Sequence, residues 1–155
     1  MNLKIEYIPT TALIPYARNA RTHSDQQIKQ IAGSIKEFGF NNPVLIDEDL
    51  GIIAGHGRVM AAEKLKMAKV PTVQLGHLSE ADKRAYILAD NKLAMNAGWD
   101  DDLLSIELGA LTDLADFDVE LTGFSQDEID ELLADDGTEG LTDPDAIPDA
   151  PDVPV

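Results

Sequence analysis

A chain of 155 residues, 44% hydrophobic and without cysteine, can hold one domain with a real core and an appendage. It can hold no disulfide, thiolate metal site or thiol nucleophile. No run of about 18 apolar residues is present to cross a membrane, and the formal charge of −17 averages two unlike parts. Residues 1–99 carry all 12 Lys and Arg against 10 acidic residues. Residues 100–155 carry 19 acidic and no basic residues, which excludes that part as a nucleic-acid surface.

The opening "MNLKIEYIPT" lacks a basic region followed by an apolar stretch, so it does not read as a signal peptide. A cytoplasmic setting, bacterial or in a phage-infected host, is expected. "LKIEYIP" (3–9) predicts a strand ended by Pro9, and residues 10–24 an irregular segment. Ser24-Asp25-Gln26-Gln27 fits a capping box. The helix after it aligns Ile28, Ile31, Ala32, Ile35 and Phe38 on one face, and Gly39 supplies a left-handed stop.

Two short apolar runs within 42–57 flank Asp47–Gly51, a hairpin signal with a longer loop. A helix over about 57–67 and a strand over 70–75 follow. Ser79 opens a third helix, running to about Met95, and His77 merely precedes its cap. Trp99 is expected to be a core anchor. Asp100, Asp101 and Asp102 lead a further helix, whose dipole favours negative charge at that end. Ser125-Gln126-Asp127-Glu128 is a second capping box before a short helix, "DEIDELL". Residues 135–155 are rich in Pro and Asp, hold no aromatic residue and are expected to be disordered. The fold class is α+β: a small mixed β-sheet with helices, then C-terminal helices. The expected divisions are 1–98, 99–134 and 135–155.

The most informative stretch is "IIAGHGRVMAAEKL" (52–65), where a strand turns into a helix at Gly55-His56-Gly57-Arg58. A helix N-terminus offers free N–H groups and about half a positive charge, a ready anion site. Glycine gives backbone access, Arg58 can form paired hydrogen bonds to a phosphate, and His56 can donate another. A purely structural turn is the competing reading. Arg18 and Arg21 lie in the irregular segment beside His23, as phosphate ligands or as a solvated loop. Asp90 and Asn91 lie within the third helix, as oxygen ligands for magnesium or as an exposed face.

Taken in order, "ALIPYARNARTHSDQQIKQIAGSIKEFGFNNPVLID", "IIAGHGRVMAAEKL" and "RAYILADNKLA" resemble the ParB/sulfiredoxin superfamily, over roughly residues 3–95. The resemblance implies a small α+β nucleotide-binding fold, with CTP (partition ParB proteins) or ATP (sulfiredoxin) and Mg2+ as cofactor. In ParB proteins the glycine motif reads Gly-Glu-Arg-Arg; Gly55, His56, Gly57 and Arg58 stand there, keeping only the last arginine. Sulfiredoxin's catalytic Cys has no counterpart. Asn19-Ala20-Arg21 resembles the first basic motif, and Asp90-Asn91 the later Glu-Asn pair, without the arginine that follows it in partition proteins.

The resemblance thus implies Gly55, His56, Gly57, Arg58, Arg18, Arg21 and Asn91 around phosphates. It implies Asp90 and Asn91 on the metal, Asp90 as the catalytic group, and at most a weak nucleoside triphosphatase. From "AGHGRVMAAEKL" to "LTGFSQDEIDELL" and the acidic end, the chain also looks like the N-terminal module of prophage-type DNA methyltransferases. It contains no methylase motif of its own. It would then be a fragment or free-standing relative of such an enzyme, engaging DNA through its N-terminal domain or an attached methyltransferase. A homodimer is compatible with this. A ParB-like metal-dependent nuclease, or an acidic protein-interaction module without catalysis, are the other readings.

Overall fold

Runs rich in branched apolar residues separate into four strands, and the segments between them into helices that cover the sheet. The computed structural model describes residues 2–139. β1 (Ile5–Pro9), β2 (Val44–Ile46), β3 (Ile52–Ala54) and β4 (Lys69–Gln74) form one sheet in the order β1-β4-β2-β3. β1 is antiparallel to β4 and β3 to β2, whereas β2 and β4 are parallel, with Leu45 opposite Val73. The sheet is therefore mixed. Val70 to Val73 are all buried, as expected of an inner strand covered on both faces.

The two-residue period of the strands divides their side chains between two cores. Val44, Ile46, Ile52 and Val70 pack with Leu13, Val59 and Ala62 on one side. Ile53, Val73 and Leu75 meet Ile87 on the other. The first side is covered by α2 (His56–Lys64), against which α1 (Asp25–Phe38) packs through Ile28, Ala32 and Ala61. The second is covered by α3 (Glu80–Asn96). Asp47 ties α3 to the hairpin. Its carboxylate accepts the N–H groups of Asp49 (2.8 Å) and Gly51 (2.7 Å) and pairs with Lys83 Nζ at 2.9 Å. Burial raises the Asp47 pKa, but these hydrogen bonds and the charge of Lys83 outweigh it and hold the group below its ordinary range.

Among the described residues the chain divides into two compact units, the first ending at Ala97 and the second beginning at Gly98. In the second, α4 (Asp101–Thr112), a 3-10 turn at Val119–Thr122 and α5 (Gln126–Glu139) bury Leu108, Val119 and Ile129 together. Among the described residues no helix is long and apolar enough to cross a membrane.

Local details depart from the sequence reading in instructive ways. Ser125 and Glu128 form the reciprocal capping box. Ser24 accepts from Gln27 N, but the Gln27 side chain turns to His23 Nδ1 (3.1 Å), leaving that box half formed. Gly39 has a positive φ of 95° but an extended ψ of 165°, so the chain leaves α1 without a left-handed helical cap. Phe38, the last residue of the apolar face, is exposed. Trp99 is no core anchor: it is 69% exposed and touches Phe124, ring centres 5.4 Å apart. The backbone of α5 continues to Glu139, into the segment expected to be disordered; the rest of that segment lies outside the described residues.

Ile46, 1% exposed between the sheet and α2, tests this packing. Ile46→Ala should lower the unfolding free energy by about 2–5 kcal/mol, measured by urea denaturation.

Candidate functional site

β3 ends at Ala54, and one residue, Gly55, separates it from the first turn of α2. Gly55 takes φ 109°, ψ 22°, a left-handed conformation that costs a side-chain-bearing residue about 1–2 kcal/mol. It also carries no side chain that could cap α2, so the leading N–H groups of the helix remain available. The sequence therefore builds an uncapped helix N-terminus directly on the end of a buried strand.

Arg58 folds back over this turn. Its Nη2 donates to the Pro43 carbonyl at 3.0 Å, while its Nε is buried and without a hydrogen-bond partner. Burial lowers its pKa from the usual arginine value and the negative charge of Asp90 raises it; the group remains a cation. A half-buried guanidinium with one unpaired N–H favours an anionic ligand.

The space left by the two glycines is used by the protein itself. A Cβ on Gly55 would lie 2.9 Å from Arg58 Nη2, and one on Gly57 would lie 3.0 Å from both His23 Cε1 and Ile31 Cδ1. The glycines thus let Arg58 and His23 close on the turn. His56 is fixed differently from the sequence reading: its Nε2 accepts the Tyr16 N–H at 3.0 Å. The neutral ring then carries its proton on Nδ1, the one donor left. Burial first, then the charge of His23, lowers the His56 pKa.

A cavity of about 120 Å³ joins these groups. Its walls include Gly55, His56, Gly57 and Arg58 from the turn, Arg21 from the N-terminal segment, and Asp90 and Asn91 from α3. Asn19 Oδ1 accepts the Arg21 N–H (3.2 Å), curling the segment so that Arg21 faces the cavity wall while Arg18 stays exposed outside it. Asn91 is tolerated inside α3 because its Nδ2 donates to the Ile87 carbonyl at 2.9 Å; its Oδ1 is the atom left for a ligand. A second groove of about 350 Å³ shares Asn19, Arg21 and Asn91 with the cavity and continues along Ile87, Leu88, Lys92 and Met95.

Two contributors escaped sequence reasoning, His23 and the Tyr16 N–H, whereas Asn19 is named there only as part of the Asn19-Ala20-Arg21 motif. For His23 a signal existed, since it immediately precedes the Ser24 cap. For the Tyr16 backbone no signal could exist.

A family model of the ParB N-terminal domain matches residues 2–92, and one of the ParB-methyltransferase HTH domain matches residues 102–155. The chain belongs to the ParB N-terminal domain family. It is 60% identical over 82 residues to the ParB-like nuclease domain-containing protein YnaK of Escherichia coli (strain K12), covering 53% of this chain and 94% of that protein. It is 31% identical over 93 residues to the nucleoid occlusion protein of Bacillus cereus (strain AH187), covering 57% and 32% respectively. Among solved structures, the C-terminally truncated chromosome-partitioning protein ParB from Caulobacter crescentus, complexed with CTP-gamma-S, is similar in fold. The TM-score is 0.69 at 18% identity, covering 84% of this chain and 77% of that one.

Since folding lowers the His56 pKa, the unfolded chain takes up a proton more readily there. The stability that this group contributes is present above about pH 6.5 and is lost as pH falls through its folded pKa. Urea denaturation between pH 7.5 and 5 should show a slope that His56→Gln reduces.

Proposed function

We propose that residues 2–97 form a nucleotide-responsive module that binds the phosphates of CTP or ATP, with Mg2+, and so governs how a DNA-modifying system engages DNA. One observation carries this reading: the buried, unpartnered Nε of Arg58 beside an uncapped helix N-terminus. The cavity suits phosphate, and the adjoining groove is large enough for sugar and base. Arg58 and the N–H groups of His56 and Gly57 would clamp the phosphates, with Arg21 closing from the N-terminal segment. The His56 Nδ1–H would add a donor. Arg18, outside the cavity, has no part in this arrangement. The similar Caulobacter ParB was crystallised with CTP-gamma-S, which favours CTP over ATP.

Magnesium, when bound, would neutralise phosphate charge; Asp90 and the Oδ1 of Asn91 would hold it together with phosphate oxygens, a donor set this ion accepts. Asp90 would also orient a water in any slow triphosphate hydrolysis. The match to a ParB-methyltransferase family supports a place at the N-terminus of, or beside, a prophage-type DNA methyltransferase. A second copy of the chain is the simplest further partner.

A nuclease is favoured only by the name of the Escherichia coli relative. Among the described residues no three His, Cys, Asp or Glu side chains are grouped to hold a metal, and Asp90 is the single carboxylate in the cavity wall. Magnesium-dependent plasmid nicking that Asp90→Asn abolishes would establish it nonetheless.

Thermal unfolding with CTP, ATP, GTP and UTP, each with and without magnesium, tests the proposal. A ligand at a hundred times its dissociation constant adds about 2.7 kcal/mol. One nucleotide should raise the melting temperature, and Arg58→Ala should abolish that rise. Asp90→Asn should remove its magnesium dependence while leaving some nucleotide binding. No shift with any nucleotide would return the turn to a structural role.

A further inference from the structure

The segment matched as a helix–turn–helix domain has no lysine or arginine anywhere from residue 100 to the end of the sequence. DNA affinity rests chiefly on cations that neutralise phosphates, so this face cannot supply it. What the unit offers instead is an apolar groove of about 400 Å³, walled by Trp99, Leu103, Leu104, Leu111 and Phe124. Leu103 is 62% exposed although the unit has a closed core of its own around Leu108, Val119 and Ile129. Asp100 and Glu107 also line the groove, and every acidic residue from 100 to 131 is exposed.

We infer that this groove receives a basic amphipathic helix of a partner protein. The occupant's Leu or Phe side chains, at i, i+3, i+4 and i+7, would sit on Trp99, Leu103 and Phe124. Its Lys and Arg residues would meet Asp100, Glu107 and the surrounding carboxylates. Charge selects this occupant among those an apolar groove admits. DNA is repelled, and a second copy would bring an equally acidic unit face to face with this one.

Trp99 is the chain's one tryptophan, so its emission reports the groove in the intact protein. The probe is a synthetic Leu/Lys helix with leucines on one face; the control has the same composition with leucines spread around the helix. The amphipathic peptide should give a saturable blue shift that weakens as salt is raised. Leu103→Asp should weaken binding roughly tenfold or more. Ile106→Asp, equally exposed on α4 but outside the groove, should not change it.

Equal binding of the control peptide would overturn the inference, as would no response. So would a DNA duplex that shifts the emission. Emission already typical of a buried indole in the free chain would mean that the rest of the chain or a second copy covers the groove, and would overturn it too.

Discussion

The site depends on the way the Arg58 guanidinium is buried. A guanidinium taken out of water must find acceptors, and here the Pro43 carbonyl satisfies only one end. The rest of the local architecture keeps that cation where it is. Gly55 takes the left-handed turn and leaves room for the guanidinium against its Cα. β3 and α2 fix the two sides of the turn in the buried sheet, and Asp90 on α3 contributes opposing charge without a direct ion pair. An anion that accepts from Arg58 Nε and the first N–H groups of α2 would complete the arrangement.

The rest of the first unit serves that geometry. The parallel pairing of β2 with β4 requires a crossover, and α2 lies within it, so the helix N-terminus emerges at a strand end. The Asp47–Lys83 pair anchors α3 to the hairpin and thereby holds Asp90 and Asn91 at the cavity. Gln27 leaves the Ser24 cap incomplete and holds His23, which packs into the space beside Gly57. The second unit has its own core, and its charged residues from 100 to 131 are all acidic and exposed. All lysines and arginines of the chain lie in the first 99 residues.

Much of this was legible in the sequence because it is written in local patterns. The period of α1, the Ser125–Glu128 box, the Asp47–Gly51 loop and the glycine turn each depend on residues close together in the chain. The convergence of Arg21, Arg58, Asp90 and Asn91 was reachable only through family resemblance, since contacts between residues 30 or more positions apart leave no local signal. Nothing in composition could reveal that the Tyr16 backbone fixes the His56 tautomer, or that the space beside Gly55 admits the Arg58 guanidinium. Trp99 misled for a plain reason: large aromatic residues are usually core, and its exposure is a property of the packing around it.

The most direct measurement is the NMR resonance of the Arg58 Nε–H during titration with CTP and magnesium. If an anion occupies the seat, that resonance should move downfield and exchange more slowly with water, together with the amides of Gly55, His56 and Gly57. Nucleotide binding that leaves these four signals unmoved and perturbs another surface would contradict the assignment of Arg58 as the phosphate clamp.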